Sequence, residues 1–295
     1  FTEEWAEQAK ASWRDYWCGE STGIIHFIGG DIIYHHCIFW PALLKAAGYR
    51  TPNAVVASGM LKVDDHKFSK SRGYVVWTND DYLDKGFPAD YLRYYLLSYT
   101  NHTKELNFSW KVFQERINNE LVNTLGNFVY RTLFFARKEF GGIPDIPVQQ
   151  DILAEIDRSL AMIEVAMKEY EFKTAIDAMM ALASYGNNYI QSNAPWKLVR
   201  TDRDAAAQVT KDCLVLVRAL CLIFEPVIPE KAQEIWEMLG ESDRIQDHQI
   251  GEAIVDIPPV RCRSLNLSSQ SSRIPSSGRW TGFWHSGSKK QERRR

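Results

Sequence analysis

The heptapeptide Lys67-Phe68-Ser69-Lys70-Ser71-Arg72-Gly73 sets two lysines three residues apart among small hydroxyl side chains and a glycine. A mobile loop of that composition can fold over a polyphosphate, with Lys67 and Lys70 as candidate catalytic cations that neutralise charge building on a departing pyrophosphate. A solvated Lys/Ser turn is the plainer reading of the same residues. A second constellation lies further along. Asn127 and Arg131 are four apart and share a helix face. Some 65 residues later comes Ser192-Asn193-Ala194-Pro195-Trp196-Lys197, a helix-start sequence with Pro in the first turn and an aromatic behind it. An amide, a guanidinium and an indole suit the reading of unstacked bases, by edge hydrogen bonds and by stacking. Taken by pattern alone, Trp196 reads first as a core residue. The adjacent His35 and His36 point in different directions on a helix and make a poor metal pair.

These residues need elements to position them. Residues 23–28 are a β-branched and aromatic run ending at Gly29-Gly30, which predicts a buried strand. Asp31 then stands at an expected N-cap, with a helix over residues 32–47 closed by Gly48 and kinked at Pro41. Val55-Val56-Ala57 is a second strand candidate, followed by Gly59 and a polar Asp64-Asp65 turn. Strand, helix and strand predict one parallel crossover of an α/β nucleotide-binding sheet. Everything after about residue 89 reads as helix. Phe113, Ile117, Leu121, Leu125 and Phe128 keep a three-to-four residue spacing, giving a long amphipathic helix that ends near Gly141-Gly142. Residues 152–170 make another, Phe172 to Ile190 mark a third, and Val209, Cys213, Leu216, Leu220 and Ile223 mark a fourth, stopped by Pro226 and Pro229. Antiparallel helices joined by short Gly/Pro links describe a bundle, with a domain boundary expected near residues 107–110.

Composition sets outer limits. The 45% apolar and 24% charged fractions predict a packed soluble protein, and no stretch reaches the roughly 18–20 apolar residues of a membrane span. The net charge of −2 hides an asymmetry: from 261 onward nine Lys/Arg face Glu292 alone, a tail of +8 that leaves −10 for residues 1–260. An acidic body confines any nucleic-acid site to a local patch. The Ser- and Arg-rich tail has no apolar period and is expected to be disordered, or an artefact of a shifted frame or misjoined gene end; RNA binding is its other reading. The five cysteines (18, 37, 213, 221, 262) form no Cys-x-x-Cys pair, which argues against a metal knuckle or disulfide framework and for a reducing, cytoplasmic setting. Phe1 opens the chain in what reads as mid-protein helix, so truncation at the front is expected.

The Lys67–Ser71 loop resembles the Lys-Met-Ser-Lys-Ser signature of class I aminoacyl-tRNA synthetases, with Phe68 in place of Met. Phe27-Ile28-Gly29-Gly30-Asp31, followed by Ile32 and His35-His36, resembles the nucleotide and methionine segment of the methionyl-tRNA synthetases. That family usually has Lys where Gly30 stands, a change that removes a cation near the phosphates. Asn127-Phe128-Val129-Tyr130-Arg131 and Ala194-Pro195-Trp196 resemble the residues with which the same family recognises the CAU anticodon. The similarity runs from about residue 12 to 258.

The resemblance implies an α/β plus all-α architecture: residues 1–110 as the second half of a class I (Rossmann-like) catalytic domain with a stem-contact region, 111–260 as an α-helical anticodon-binding domain, and 261–295 as tail. It implies ATP binding by Gly29, Asp31, Lys67, Ser69, Lys70 and Ser71, with Gly29 and Gly30 letting the backbone approach the adenosine and Asp31 accepting from a ribose hydroxyl. Ile32 and His36, four apart on one face, would line a pocket for an unbranched thioether. Asn127, Arg131, Pro195 and Trp196 would read the anticodon. Mg2+ would accompany ATP, and the family's zinc would bind in a connective domain outside this sequence, as would its His-Ile-Gly-His signature. The implied partners are methionine and tRNA(Met), with no membrane. Two alternatives stand beside this: another class I synthetase, for Leu, Ile, Val or Cys, and a tRNA-binding module without nucleotide chemistry.

Overall fold

The computed structural model describes residues 2–102 and 104–258, so the tail expected from 261 lies outside the described residues. The described residues divide into two compact units, one running to Phe68 and including those of Thr100–Phe108, the other of Ser69–Tyr99 with the described residues from Ser109 onward. The first is a mixed α/β region and the second is helical.

In the first unit, helices α1 (Thr2–Ala9) and α2 (Trp13–Trp17) lead into strand β1 (Ile25–Gly29). A tight turn over Gly30–Ile32 starts the helical segment, which widens to π geometry over His35–Phe39 before α3 (Trp40–Ala46). The wide turn sits just ahead of Pro41, whose missing N–H breaks the regular ladder where the kink was expected. Gly48, at φ +77, ends the helix in the left-handed conformation open to glycine. Asp31 is not the N-cap: Gly29 flanks the first turn, no side chain caps it, and Asp31 lies inside the turn itself. Strand β2 (Ala54–Ser58) returns parallel to β1, in register from Ile25 opposite Ala54 to Gly29 opposite Ser58, completing the predicted crossover.

Three short strands escape the sequence reading. β3 (Leu61–Val63) and β4 (His66–Lys67) form a hairpin over Asp64-Asp65, both at positive φ (47° and 64°), a turn that carboxylate residues tolerate. β5 (Leu106–Phe108) pairs parallel to β3, so the stretch after residue 89 is not helical throughout. Strands of two or three residues have no alternation long enough to detect. Asn107 and Asp65 tie β5 to the hairpin reciprocally: the Asp65 N–H donates to Asn107 Oδ1 at 2.9 Å, and Asn107 Nδ2 donates to Asp65 Oδ1 at 2.7 Å.

The second unit begins with the turn after Ser69 and helix α4 (Ala89–Tyr99). One long helical run then carries α5 (Trp110–Arg116), a π-type stretch Ile117–Gly126, α6 (Asn127–Phe135) and a last wide turn to Phe140, ended by Gly141 at φ +70. Its predicted stripe is the buried one: Phe113, Ile117, Leu121, Leu125 and Phe128 are all inside. α7 (Gln150–Lys168), α8 (Phe172–Asn193), the short α9 (Pro195–Leu198) and α10 (Arg203–Phe224) follow. Pro229 does more than stop a helix, because it opens α11 (Pro229–Met238) from the first turn.

α10 is buried on every side from Val209 to Phe224, where the sequence spacing indicated a single stripe; it is the central helix of the bundle. Its inward polar groups are satisfied. Asp212 accepts from the Gln149 N–H (3.0 Å), Tyr189 Oη (2.7 Å) and Gln208 Nε2 (3.1 Å). Lys211 pairs with Asp256 at 3.0 Å, and Arg218 donates to the Glu252 carbonyl at 2.8 Å. A buried polar group without such partners would cost about 1–3 kcal/mol.

Candidate functional site

The first candidate region is the turn from β1 into its helix. Gly29 has Asp31 Oδ1 where a side chain would grow, 2.8 Å from an added Cβ, so glycine here lets the carboxylate fold back against the backbone. Gly30 is different. A Cβ there would meet only the Ser58 carbonyl, at an ordinary 3.6 Å. Asp31 and Ile32 face solvent, while His36 is half-buried. Alternation along β1 puts His26 on the same face as the buried Ile28, and His36 comes back onto that face. The two imidazoles meet with Nδ1 atoms 3.0 Å apart and rings nearly perpendicular (89°). Burial, and then the neighbouring His36, hold the pKa of His26 below its ordinary value. His26 was missed from the sequence; its place two residues before Ile28 was the available signal.

The second region is the lysine loop. Lys67 is the last residue of β4 and is exposed. Beyond it, Ser69 and Tyr74 close an antiparallel bridge, the Ser69 N–H donating to the Tyr74 carbonyl at 2.8 Å. Inside that bridge the chain turns sharply, with Gly73 at φ +78, and presents Lys70, Ser71 and Arg72 to solvent. Arg72 Nε donates to Ser69 Oγ at 3.4 Å, and Ser69 and Ser71 hydroxyls lie 3.4 Å apart. The Lys70 ammonium rests over the Trp77 ring, 5.5 Å from its centroid, a contact that a more strongly charged anion can displace.

The third region lies wholly in the helical unit. Asn127 and Arg131, one turn apart on α6, are exposed and half-buried respectively. Ala194, in a left-handed conformation (φ 40°), breaks α8 and lets Pro195 start α9. Pro195 is buried and Trp196 half-buried, so the proline anchors the turn while the indole remains partly open. The Arg131 guanidinium lies over the Trp196 ring at 5.1 Å, and its Nη2 donates to Gln191 Oε1 at 2.8 Å. Gln191 was not foreseen. Tyr130 and Phe134, both exposed on the same helix as Arg131, stack on each other at 5.8 Å. The structure therefore brings Arg131 and Trp196 into contact, with Asn127 one helical turn before Arg131.

Among the described residues no group of three or more His, Cys, Asp or Glu is arranged to hold a metal ion, and no helix is long and apolar enough to cross a membrane.

Comparison with known proteins agrees with both regions. Residues 1–133 match the family of class I (M) tRNA synthetases, and residues 142–262 match the anticodon binding domain of methionyl tRNA ligase. The methionine–tRNA ligase of Methanoculleus marisnigri is 65% identical over 265 residues, covering 90% of this chain and 40% of that protein. That of Methanosphaerula palustris is 66% identical over 253 residues, covering 86% and 38%. Mycobacterium tuberculosis methionyl-tRNA synthetase bound by methionyl-adenylate superposes with a TM-score of 0.73 at 26% identity, over 82% of this chain and 48% of that one. The chain thus spans about 40% of the length of the curated relatives it matches. Its mixed α/β part and helical part are those of a class I aminoacyl-tRNA synthetase, a group of ATP-using enzymes, joined to an anticodon-binding domain. Within that class, the chain belongs to the methionyl-tRNA synthetase family.

Proposed function

We propose that the gene product carrying this chain is a cytoplasmic methionine–tRNA ligase. Methionine's carboxylate attacks the α-phosphate of Mg-ATP, giving methionyl-adenylate and pyrophosphate; the terminal ribose hydroxyl of tRNA(Met) then takes the methionyl group. The observation that carries this reading is the Arg131–Trp196 contact beside Asn127. A guanidinium held over a half-open indole, with an amide one turn away, offers one face for stacking and two side chains for base edges. Together with Pro195, which fixes the start of α9, these residues would read CAU. Family membership supports it.

On the catalytic side, Gly29 admits the nucleoside to the backbone and Asp31 accepts from a ribose hydroxyl. Ile32 and His36 line the place of the methionine side chain. Lys70, with Lys67, Ser69 and Ser71 around it, receives the pyrophosphate-side charge; Mg2+ enters with the nucleotide as part of the substrate. Residues 1–110 serve as the catalytic part with its stem-contact region and 111–260 as the anticodon-binding part.

The test is amino-acid-dependent ATP–pyrophosphate exchange by the full-length gene product. Exchange is expected with methionine and not with leucine, isoleucine, valine or cysteine. Lys70→Ala should cost on the order of 3 kcal/mol in the activation barrier while methionine binding hardly changes. Exchange supported by another of these amino acids, or a Lys70→Ala effect confined to methionine affinity, would overturn the assignment.

A further inference from the structure

We propose that His26 is a positioning residue that fixes the tautomer of His36, so that the outward nitrogen of His36 is a hydrogen-bond donor to the substrate's thioether. The inference rests on the reading of His36 as a methionine-pocket residue given above. It starts from the 3.0 Å separation of the two Nδ1 atoms. Two lone pairs at that distance repel, and two N–H groups collide, so one and only one of these nitrogens carries the shared proton. Burial and the adjacent His36 both hold the pKa of His26 below its ordinary value, and we take the pair with both rings neutral.

Two arrangements remain. If His36 donates from Nδ1, its Nε2 is a bare lone pair. If His26 donates, His36 accepts at Nδ1 and carries its own proton on Nε2, the nitrogen on the far side of the ring from His26. A thioether sulfur has lone pairs and no proton, so it can only accept. A bare Nε2 would repel it, whereas an Nε2–H would give it the one polar contact an otherwise apolar side chain can use. The donor therefore has to be His26. The fold provides for this: strand alternation fixes His26 on the inner face with Ile28, and the wide π turn over His35–Phe39 carries His36 to it. Ser58 Oγ, which donates to the Ile28 carbonyl at 3.3 Å, helps hold the strand to its neighbour, so the donor does not drift.

The experiment uses the full-length gene product labelled with 15N-histidine, the His36 signals being identified by their loss in His36→Gln. In the wild type, His36 is expected with its proton on Nε2. His26→Leu should shift His36 to a mixture of tautomers, and His26→Asn, whose amide N–H lies near the position of the imidazole Nδ1–H, should restore the Nε2–H form. Steady-state exchange provides the second readout. His26→Leu should raise the KM for methionine about fivefold, the worth of one hydrogen bond, with kcat little changed. The KM for norleucine, which has the same shape and no acceptor, should stay where it is, and His26→Asn should recover methionine. A wild-type His36 protonated on Nδ1 overturns the proposal without any variant, even if His26→Leu does not fold. A His26→Leu spectrum with unchanged tautomer, or equal losses for methionine and norleucine, overturns it too. If instead His36→Gln leaves methionine kinetics intact, the reading of His36 as a pocket residue fails, and with it the substrate half of the proposal, while the tautomer spectrum still decides the role of His26.

Discussion

At the scale of single residues, the most informative position is Gly30. The resemblance read from the sequence implies a lysine there, and the structure leaves space for a side chain: the nearest obstacle to a Cβ is the Ser58 carbonyl at 3.6 Å. Nothing steric therefore keeps this residue a glycine. Gly30→Lys in the full-length gene product is expected to lower the KM for ATP by about tenfold, as one added charged contact would, measured by pyrophosphate exchange at varied ATP. An unchanged KM would mean that Gly30 does not face the phosphates. The residues that could be read from sequence alone are those whose chemistry is local: the lysine loop announces itself by composition, and Asn127 with Arg131 by helical spacing. His26 and Gln191 could not be read this way. Each acts through a side chain on another element, ten residues away for His36 and sixty for Arg131, and only the folded chain brings them together.

At the scale of elements, the proposed anticodon face depends on how closely α6 approaches α8. Gly186 on α8 lies against the Phe128 ring, so an added Cβ would come within 2.5 Å of it, and Phe128 is fully buried. One residue on, Asn187 Nδ2 donates to the Thr124 carbonyl at 2.7 Å and ties α8 to the π-type stretch. These contacts fix the helix that carries Asn127 and Arg131 against the one that carries Gln191 and leads into Trp196. Gly186→Ala should destabilise the helical unit by about 1–3 kcal/mol through overpacking, read as a lower midpoint in urea, and should weaken Arg131–Trp196 function along with it. The long helices were legible because their apolar period runs over many turns. The residues at their junctions gave less. Gly186 looked like any helical glycine, β3 to β5 were too short to show a period, and α10 showed a single stripe although it is buried all round.

At the scale of the whole molecule, the two units should answer pH in opposite directions. In the helical unit, His248 sits between Glu252 (2.8 Å) and Asp243 (2.9 Å), and hydrogen bonds to Glu252 and then Asp243 raise its pKa above the ordinary 6.5. Its contribution is complete below 6.5 and is lost as pH rises through the raised folded value. Asp243 and Glu252 are themselves held below their ordinary values of 3.8 and 4.5 by hydrogen bonds, from Trp236 and then His248 for the first and from His248 for the second. Their contribution is present above those values and lost as pH falls. The triad is therefore fully engaged between pH 4.5 and 6.5. In the α/β unit, His26 has a lowered pKa, so its contribution is complete above 6.5 and is lost as pH falls toward the folded value. Hydrogen exchange followed by mass spectrometry at pH 5.5 and pH 8, corrected for intrinsic rates, should show protection near 243–252 falling at pH 8 and protection near 25–36 falling at pH 5.5. His248→Gln should remove the first effect and leave the second.

The proposed reading of the methionine anticodon by Asn127, Arg131 and Trp196 is tested most directly by binding of an anticodon stem-loop bearing CAU against the same stem-loop bearing CAC. The wrong base should cost roughly 1–3 kcal/mol if it is read by hydrogen bonds, by analogy with direct readout in DNA, and Trp196→Ala should abolish the difference while the protein stays folded. Equal binding of the two loops by the folded wild-type protein would contradict the account.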